Sequence, residues 1–314
     1  MSETPATPDI TAAKPADDRK APQRPRRGQL LHKLQTSRPL RLLRKNIPAM
    51  IALGFLVLVV LLAVFGSALG PHPPHAQNLN NSLAGASGEH WLGTDIYGRD
   101  VFSRLLTSAS VTMLAVFQAV GVAAVLGIPT GLFAGLVGGR LGGLISRFSD
   151  ALQSLPPLIL AIAIIAIFGP GLTNAMLAIG LVMAPALFRL ARGAAESVAT
   201  ETYIEAARAL GCGKGRLLWS HVLPNAASPL LVQLSFSAGV AIVAEASLSF
   251  LGLGVQAPET SWGSMVREAF DNVHSAPGLI AAPAIMIVLT VLAFSTFGDG
   301  LRDALEGAES SKGS

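Results

Sequence analysis

The chain is predicted to be an all-α polytopic membrane protein with six transmembrane helices and both termini on the cytoplasmic side. Three observations carry that expectation. Of 314 residues, 51% are apolar and only 13% charged, a balance outside the range of soluble domains. Several uncharged runs exceed the ~20 residues that cross a bilayer core of ~30 Å. Lysine and arginine are distributed unequally between the segments that join those runs, which orients the chain.

Residues 1–46 are Pro-rich and charged, with Arg24-Pro25-Arg26-Arg27 leading to Arg41 and Arg44-Lys45; such composition predicts a disordered basic cytoplasmic tail. The first apolar run starts too late and is too long for the core of a cleaved signal peptide. It is the first span, residues 47–70, in which Ile47 to Leu69 carries no charge over 23 residues. An outward-facing segment follows at 71–104, then a five-helix core at 105–298 and a C-terminal cytoplasmic tail at 299–314. Within the core, Arg104 and Arg140 enclose 35 uncharged residues, and about 110–137 of these are expected to form the second span. Ala151 to Phe188 is uncharged for 38 residues, and Gly169-Pro170-Gly171 divides it by a tight turn into spans three and four. Val222 to Ala244 is the fifth, its start displaced toward the C-terminus by Pro224 and Pro229. Ser275 to Gly298 is the sixth.

With these spans, 20 of the 23 lysines and arginines fall on the side of the N-terminus, and Arg99, Arg104 and Arg267 on the other. The polar segment at 200–224 therefore faces the cytoplasm. Gly131, Gly135, Gly139 and Gly143 recur every four residues, a spacing that lets helices pack closely. Prolines 129, 156, 157, 185 and 283 start or kink helices. Trp91, Tyr97 and Trp262 are expected in an interfacial aromatic belt or in short interfacial helices.

Candidate chemistry is sparse. The single cysteine, Cys212, excludes an intrachain disulfide and a Cys-pair metal site. His72-Pro73-Pro74-His75 has HxxH spacing, but a Pro-Pro linker gives no helical face to pair the rings, so no metal site is expected. Gly211-Cys212-Gly213-Lys214-Gly215 lacks the flanking Gly and the Ser or Thr of a phosphate loop; no nucleotide site, cofactor or catalytic residue is expected in this chain. Glu245 is the only charged residue inside a predicted span. A carboxylate there costs roughly 3 kcal/mol, which makes it the candidate substrate-pathway residue, with a hydrogen bond to Ser247 or Ser249 as the alternative.

The 200–224 segment is the most informative. Thr202 and Glu205 read as a T-x-x-E capping box opening a short helix, and Gly211, Gly213 and Gly215 as its stop. Tyr203, Ala206, Ala207 and Leu210 fall on one side of it, with Glu201, Glu205 and Arg208 on the other. Glu205-Ala206-Ala207, then Gly211 six residues after Glu205 and Leu223-Pro224 at +18 and +19, resembles the EAA loop of ATP-binding-cassette importer permeases. Trp91-Leu92-Gly93-Thr94-Asp95 with Gly98-Arg99-Asp100-Val101-Phe102-Ser103-Arg104, and Ser247-Leu248-Ser249-Phe250-Leu251-Gly252-Leu253-Gly254 running to Trp262-Gly263, resemble the C-type permease subunit of the dipeptide/oligopeptide/nickel branch. The likeness covers roughly residues 40–300. His221 departs from the Ile of the general EAA pattern and agrees with the peptide branch.

That resemblance implies a coupling helix between spans four and five, with Tyr203, Glu205, Ala206, Ala207, Arg208, Leu210, Gly211, Leu223 and Pro224 meeting a separate ATPase. It implies a second, B-type permease subunit, two ATPase subunits that bind ATP and Mg, and an extracytoplasmic peptide-binding protein; no nucleic acid partner is implied. The location implied is the bacterial cytoplasmic membrane, and the cargo di- or oligopeptides, with nickel or another metal complex as the alternative. An ion-coupled transporter would need intramembrane carboxylates or broken helices in both halves, and an intramembrane enzyme would need paired catalytic groups at depth. Neither pattern is present.

Overall fold

The computed structural model of the protein describes residues 38–310, and among them the regular structure is helical, with one isolated bridge between Thr94 and Asp100. Part of the expected N-terminal tail lies outside the described residues. Its last stretch, Arg38–Lys45, is a helix (α1), and Asn46 then caps α2 (Ile47–Leu69) by accepting the Ala49 N–H at 3.2 Å. α3 (Val101–Val137) has 37 residues, about 55 Å at 1.5 Å per residue. It begins nine residues before the expected second span because Asp100 caps it, accepting the Ser103 N–H at 2.7 Å.

The third span differs from its expectation. α4 (Gly139–Gln153) and α5 (Pro157–Phe168) meet at a 91° bend. α5 has only 12 residues, about 18 Å and too short to cross alone. The break falls at Pro156-Pro157, where two successive residues have no N–H to donate. α4 carries Arg140, Arg147 and Asp150 and leaves Leu141, Leu144 and Phe148 exposed. Five helices are long and apolar enough to span, or six when the bent pair counts as one.

Gly169 and Gly171, at φ +89° and +141°, make the expected turn into α6 (Leu172–Ala199). α7 (Thr202–Ala209) is the short helix of the polar segment. α8 (Lys214–Phe250) begins earlier than expected, not later. A π-helical turn at Leu218–Val222, in which the Leu223 N–H bonds to the Leu218 carbonyl, carries the ladder up to Pro224, so the proline falls where the helix is already loosened. α9 (Trp262–Asp271) opens with a Ser261/Ser264 capping box. α10 (Ala281–Ser310) continues through the residues expected to form the C-terminal tail, supported by the Arg302–Glu306 pair at 2.7 Å.

Glycine decides the central packing. A Cβ at Gly127, Gly131 or Gly135 would strike the carbonyl oxygens of Ala184, Phe188 and Arg192 in turn. α3 and α6 therefore lie backbone to backbone along three successive turns. The register differs from the sequence expectation, since Gly139 and Gly143 would meet nothing. Trp262 opens the short helix α9. It is fully buried, its indole N–H donating to the Leu105 carbonyl at 3.0 Å, because that carbonyl gives the ring the polar partner a buried indole requires. At one end of the bundle Gly300 packs on Ala49, Gly307 on Leu42, and Gly298 on Ser235 and Phe236. The start of α2 and the end of α10 share that end, and the first half of α8 reaches it where Ser228 and Pro229 line a cavity with Arg302 and Leu305; α7 packs on the start of α8.

Candidate functional site

α7 is held by one large side chain. Ile204 is fully buried in a cluster with Leu132, Leu136, Ala195, Leu217 and Val222. Ala207, one turn on, packs against the same cluster. The apolar side expected for this helix is thus split: Ile204 and Ala207 face the bundle, while Tyr203, Glu205, Ala206 and Leu210 are exposed, Leu210 by 88%. The side chain of Arg208 lies outside the described residues. Ile204 is not among the residues the sequence singles out, although its place three before Ala207 on a helix marks a shared face.

The expected capping box is not formed. The Glu205 N–H bonds to the Glu201 carbonyl at 3.3 Å and the Ile204 N–H to the same oxygen at 2.9 Å, so Glu201 occupies the position before the first turn. Gly211 does stop the helix, at φ +79°, a conformation that costs other residues about 1–2 kcal/mol. Gly213 precedes the first turn of α8 and Gly215 lies inside it. Asn225, which no sequence motif marks, ties the segment together: its Nδ2 donates to Tyr203 Oη at 3.0 Å and to the His221 carbonyl at 2.6 Å. Leu223 packs inward and Pro224 is exposed in the first turn after the π segment.

Glu245 is fully buried on α8 and accepts the Ser249 hydroxyl at 2.6 Å; its Oε2 has no hydrogen-bond partner among the described residues. Ser249 also accepts the Val255 N–H at 3.3 Å, so the carboxylate braces the turn that follows α8. A cavity of about 410 Å³ lies along the opposite side of the same helix, lined by Phe236, Val240, Val243 and Ser247 together with Met183 of α6 and Val291 of α10. Glu245 does not face it.

The end remote from α7 is closed by charge. Arg104 is almost fully buried; it pairs with Asp95 and donates to Glu268 Oε2 at 3.0 Å. Arg99 bonds the same two acids, at 2.6 Å each. The network fastens the segment before α3 to α9 across more than 160 residues of sequence. Asp100 is buried and accepts from His90 Nδ1 at 2.9 Å. Burial, the largest single influence, pushes its carboxyl up, but the Ser103 hydroxyl and N–H, His90 and the nearby His72 together hold it below the usual carboxylate range.

Residues 127–309 match the family described as binding-protein-dependent transport system inner membrane component, and residues 36–85 the N-terminal transmembrane domain of oligopeptide transport permease C. The chain belongs to this permease family. The permease is 42% identical to a dipeptide transport system permease protein of Alkalihalophilus pseudofirmus, over 84% of this chain and 87% of that one. It is 41% identical to a probable D,D-dipeptide transport system permease of Escherichia coli K12, over 80% and 84%. It is 40% identical to a glutathione transport system permease of Escherichia coli O157:H7, over 85% and 88%. An inward-facing structure of the MetNI methionine ABC transporter aligns with a TM-score of 0.54 at 20% identity, covering 64% of this permease and 95% of that chain, a likeness of fold. The permease is a multi-pass protein of the cytoplasmic membrane.

Proposed function

We propose that this permease moves di- and oligopeptides into the cytoplasm and draws the energy from separate ATPase subunits through α7. The observation that carries the reading is the exposure of Tyr203, Ala206 and Leu210 on a helix whose other face is anchored by Ile204. A lever that transmits force must be fixed to the bundle on one side and free for a partner on the other. Glu205 meets a basic group of the ATPase, and Gly211 allows the turn that presents the helix. ATP-driven closure of the ATPases pushes α7; Ile204 passes the push to the α3–α6 pair and α8, and access to the cavity switches from one side of the membrane to the other.

The assembly comprises this chain, a B-type permease subunit, two ATPase subunits that bind ATP and Mg, and an extracytoplasmic peptide-binding protein. Relatives named for dipeptides and for glutathione support peptide cargo over nickel, as does a cavity that is apolar in its main lining. The orientation with α7 and both termini in the cytoplasm rests on the lysine and arginine bias.

The test is uptake of labelled dipeptide, longer oligopeptide and nickel into cells with and without this chain, under poisons that separate ATP from ion gradients. Loss of ATP-dependent peptide uptake in the deletion supports the reading; gradient dependence, or loss of nickel uptake alone, overturns it. In the same cells Glu205→Lys and Gly211→Leu insert at the normal level and lose uptake. Normal uptake by both variants removes α7 as the coupling element.

A further inference from the structure

Three side chains at the outer end of α3 converge without a role in the coupling segment, the cavity or the charge network. His72, His90 and Asp100 each offer a ligand atom, and these atoms lie within 4.8 Å of one another. The two imidazole rings are 4.9 Å apart between centroids and tilted by 44°. His75, the other half of the HxxH pair, is not in the group; folding replaces it with His90, 18 residues from His72 in sequence, and with the cap residue of α3.

The local bonding suits these groups to a cation. His72 Nε2 lies 3.0 Å from the Glu89 carbonyl, which only accepts, so Nε2 carries a hydrogen and Nδ1 is the ring nitrogen left for a ligand. The His72 backbone is pinned by its N–H to Ser103 Oγ at 3.1 Å, so the ring stands next to the first turn of α3. Asp100 is 2% exposed. The arginines of this end pair with Asp95 and Glu268, and the ion-pair partner of Asp100 among the described residues is His90. Two imidazoles and a buried carboxylate with no permanent counter-cation make the donor set of a first-row divalent metal. Ligand atoms at ~2.1 Å from zinc sit roughly 3.4 Å apart in tetrahedral geometry, so closure asks for side-chain movements on the order of an ångström.

We propose that His72, His90 and Asp100 form a site for one divalent transition-metal ion of the zinc class, which clamps the segment after α2 to the start of α3. It lies at the end of the bundle remote from α7 and does not depend on what the permease carries.

The experiment uses the full chain, tag-free, in detergent or nanodiscs after treatment with a chelator, titrated with Zn²⁺ and with Co²⁺. One equivalent is expected to bind, with visible Co²⁺ absorption and a thermal midpoint that rises with Zn²⁺ concentration. Asp100→Asn removes a helix cap and can fail to fold, so the deciding variant is His72→Ala, with His75→Ala as control. His72→Ala should keep the metal-free midpoint of the wild type and bind at least about tenfold more weakly, whereas His75→Ala binds normally. Absence of saturable binding to the wild type, or equal affinity in His72→Ala, overturns the site.

Discussion

Where α3 begins, Asp95, Arg99, Arg104 and Glu268 pair with one another; at the other end of the bundle Tyr203, Glu205, Ala206 and Leu210 stand outside it, on a helix held by Ile204. The first region is bonded within the chain, and its charges are largely withdrawn from water, Glu268 the least so. The second buries one large side chain and leaves the rest of its surface unfilled. A region bonded chiefly within its own chain serves as a fixed point, while an apolar, exposed face with a single anchor is the surface on which the proposed coupling can be tested. The long α3–α6 contact, backbone to backbone at Gly127, Gly131 and Gly135, makes the two ends mechanically continuous.

The contrast can be broken most severely at the closed end. Arg104→Ala removes the more deeply buried of the two cations that Asp95 and Glu268 share, leaves Arg99 alone against both acids, and should cost about 3–5 kcal/mol, read as a lower thermal midpoint in detergent. A midpoint equal to the wild type would mean that the network contributes no stability. Ile204→Ala is next, at about 2–5 kcal/mol for a large-to-small change in a packed cluster. Its loss should be local: protease cutting near 200–215 rises while the segment around Trp262 stays protected.

Gly211→Leu sharpens the comparison from the other side. Its Cβ would meet nothing, so the penalty is confined to the strained φ, about 1–2 kcal/mol, and the chain should insert normally yet fail to stimulate ATP hydrolysis in the assembled transporter. The smallest effect on stability belongs to Leu210→Ala, within about 0.5 kcal/mol of the wild type, although binding of the ATPase subunits should weaken measurably in a pull-down. Equal binding would show that the exposed face is not the docking face.

The apolar runs, the Gly169–Gly171 turn and the charge bias are legible in the sequence because each is a local or summed property of consecutive residues. The short helix at 202–209 and its stop at Gly211 are legible for the same reason. The cap of that helix is not, since Glu201 and Thr202 both suit a helix start and the carbonyl of Glu201 wins the first bonds. Prolines mark span starts in a linear reading, but a π turn lets α8 run through Pro224, and a proline pair turns the third span by 91°.

What the sequence determined alone was the class of the protein and the place of its short polar helix before Gly211, since hydropathy, charge and motif spacing are one-dimensional. Only the tertiary structure decided which side of α7 is anchored, which glycines touch α6, and that Glu245 braces Ser249 and not the cavity wall. It alone joined Arg104 to Glu268 and His72 to His90 and Asp100. Those pairings depend on helix crossing and rotation, which side chains far apart in sequence settle jointly by packing.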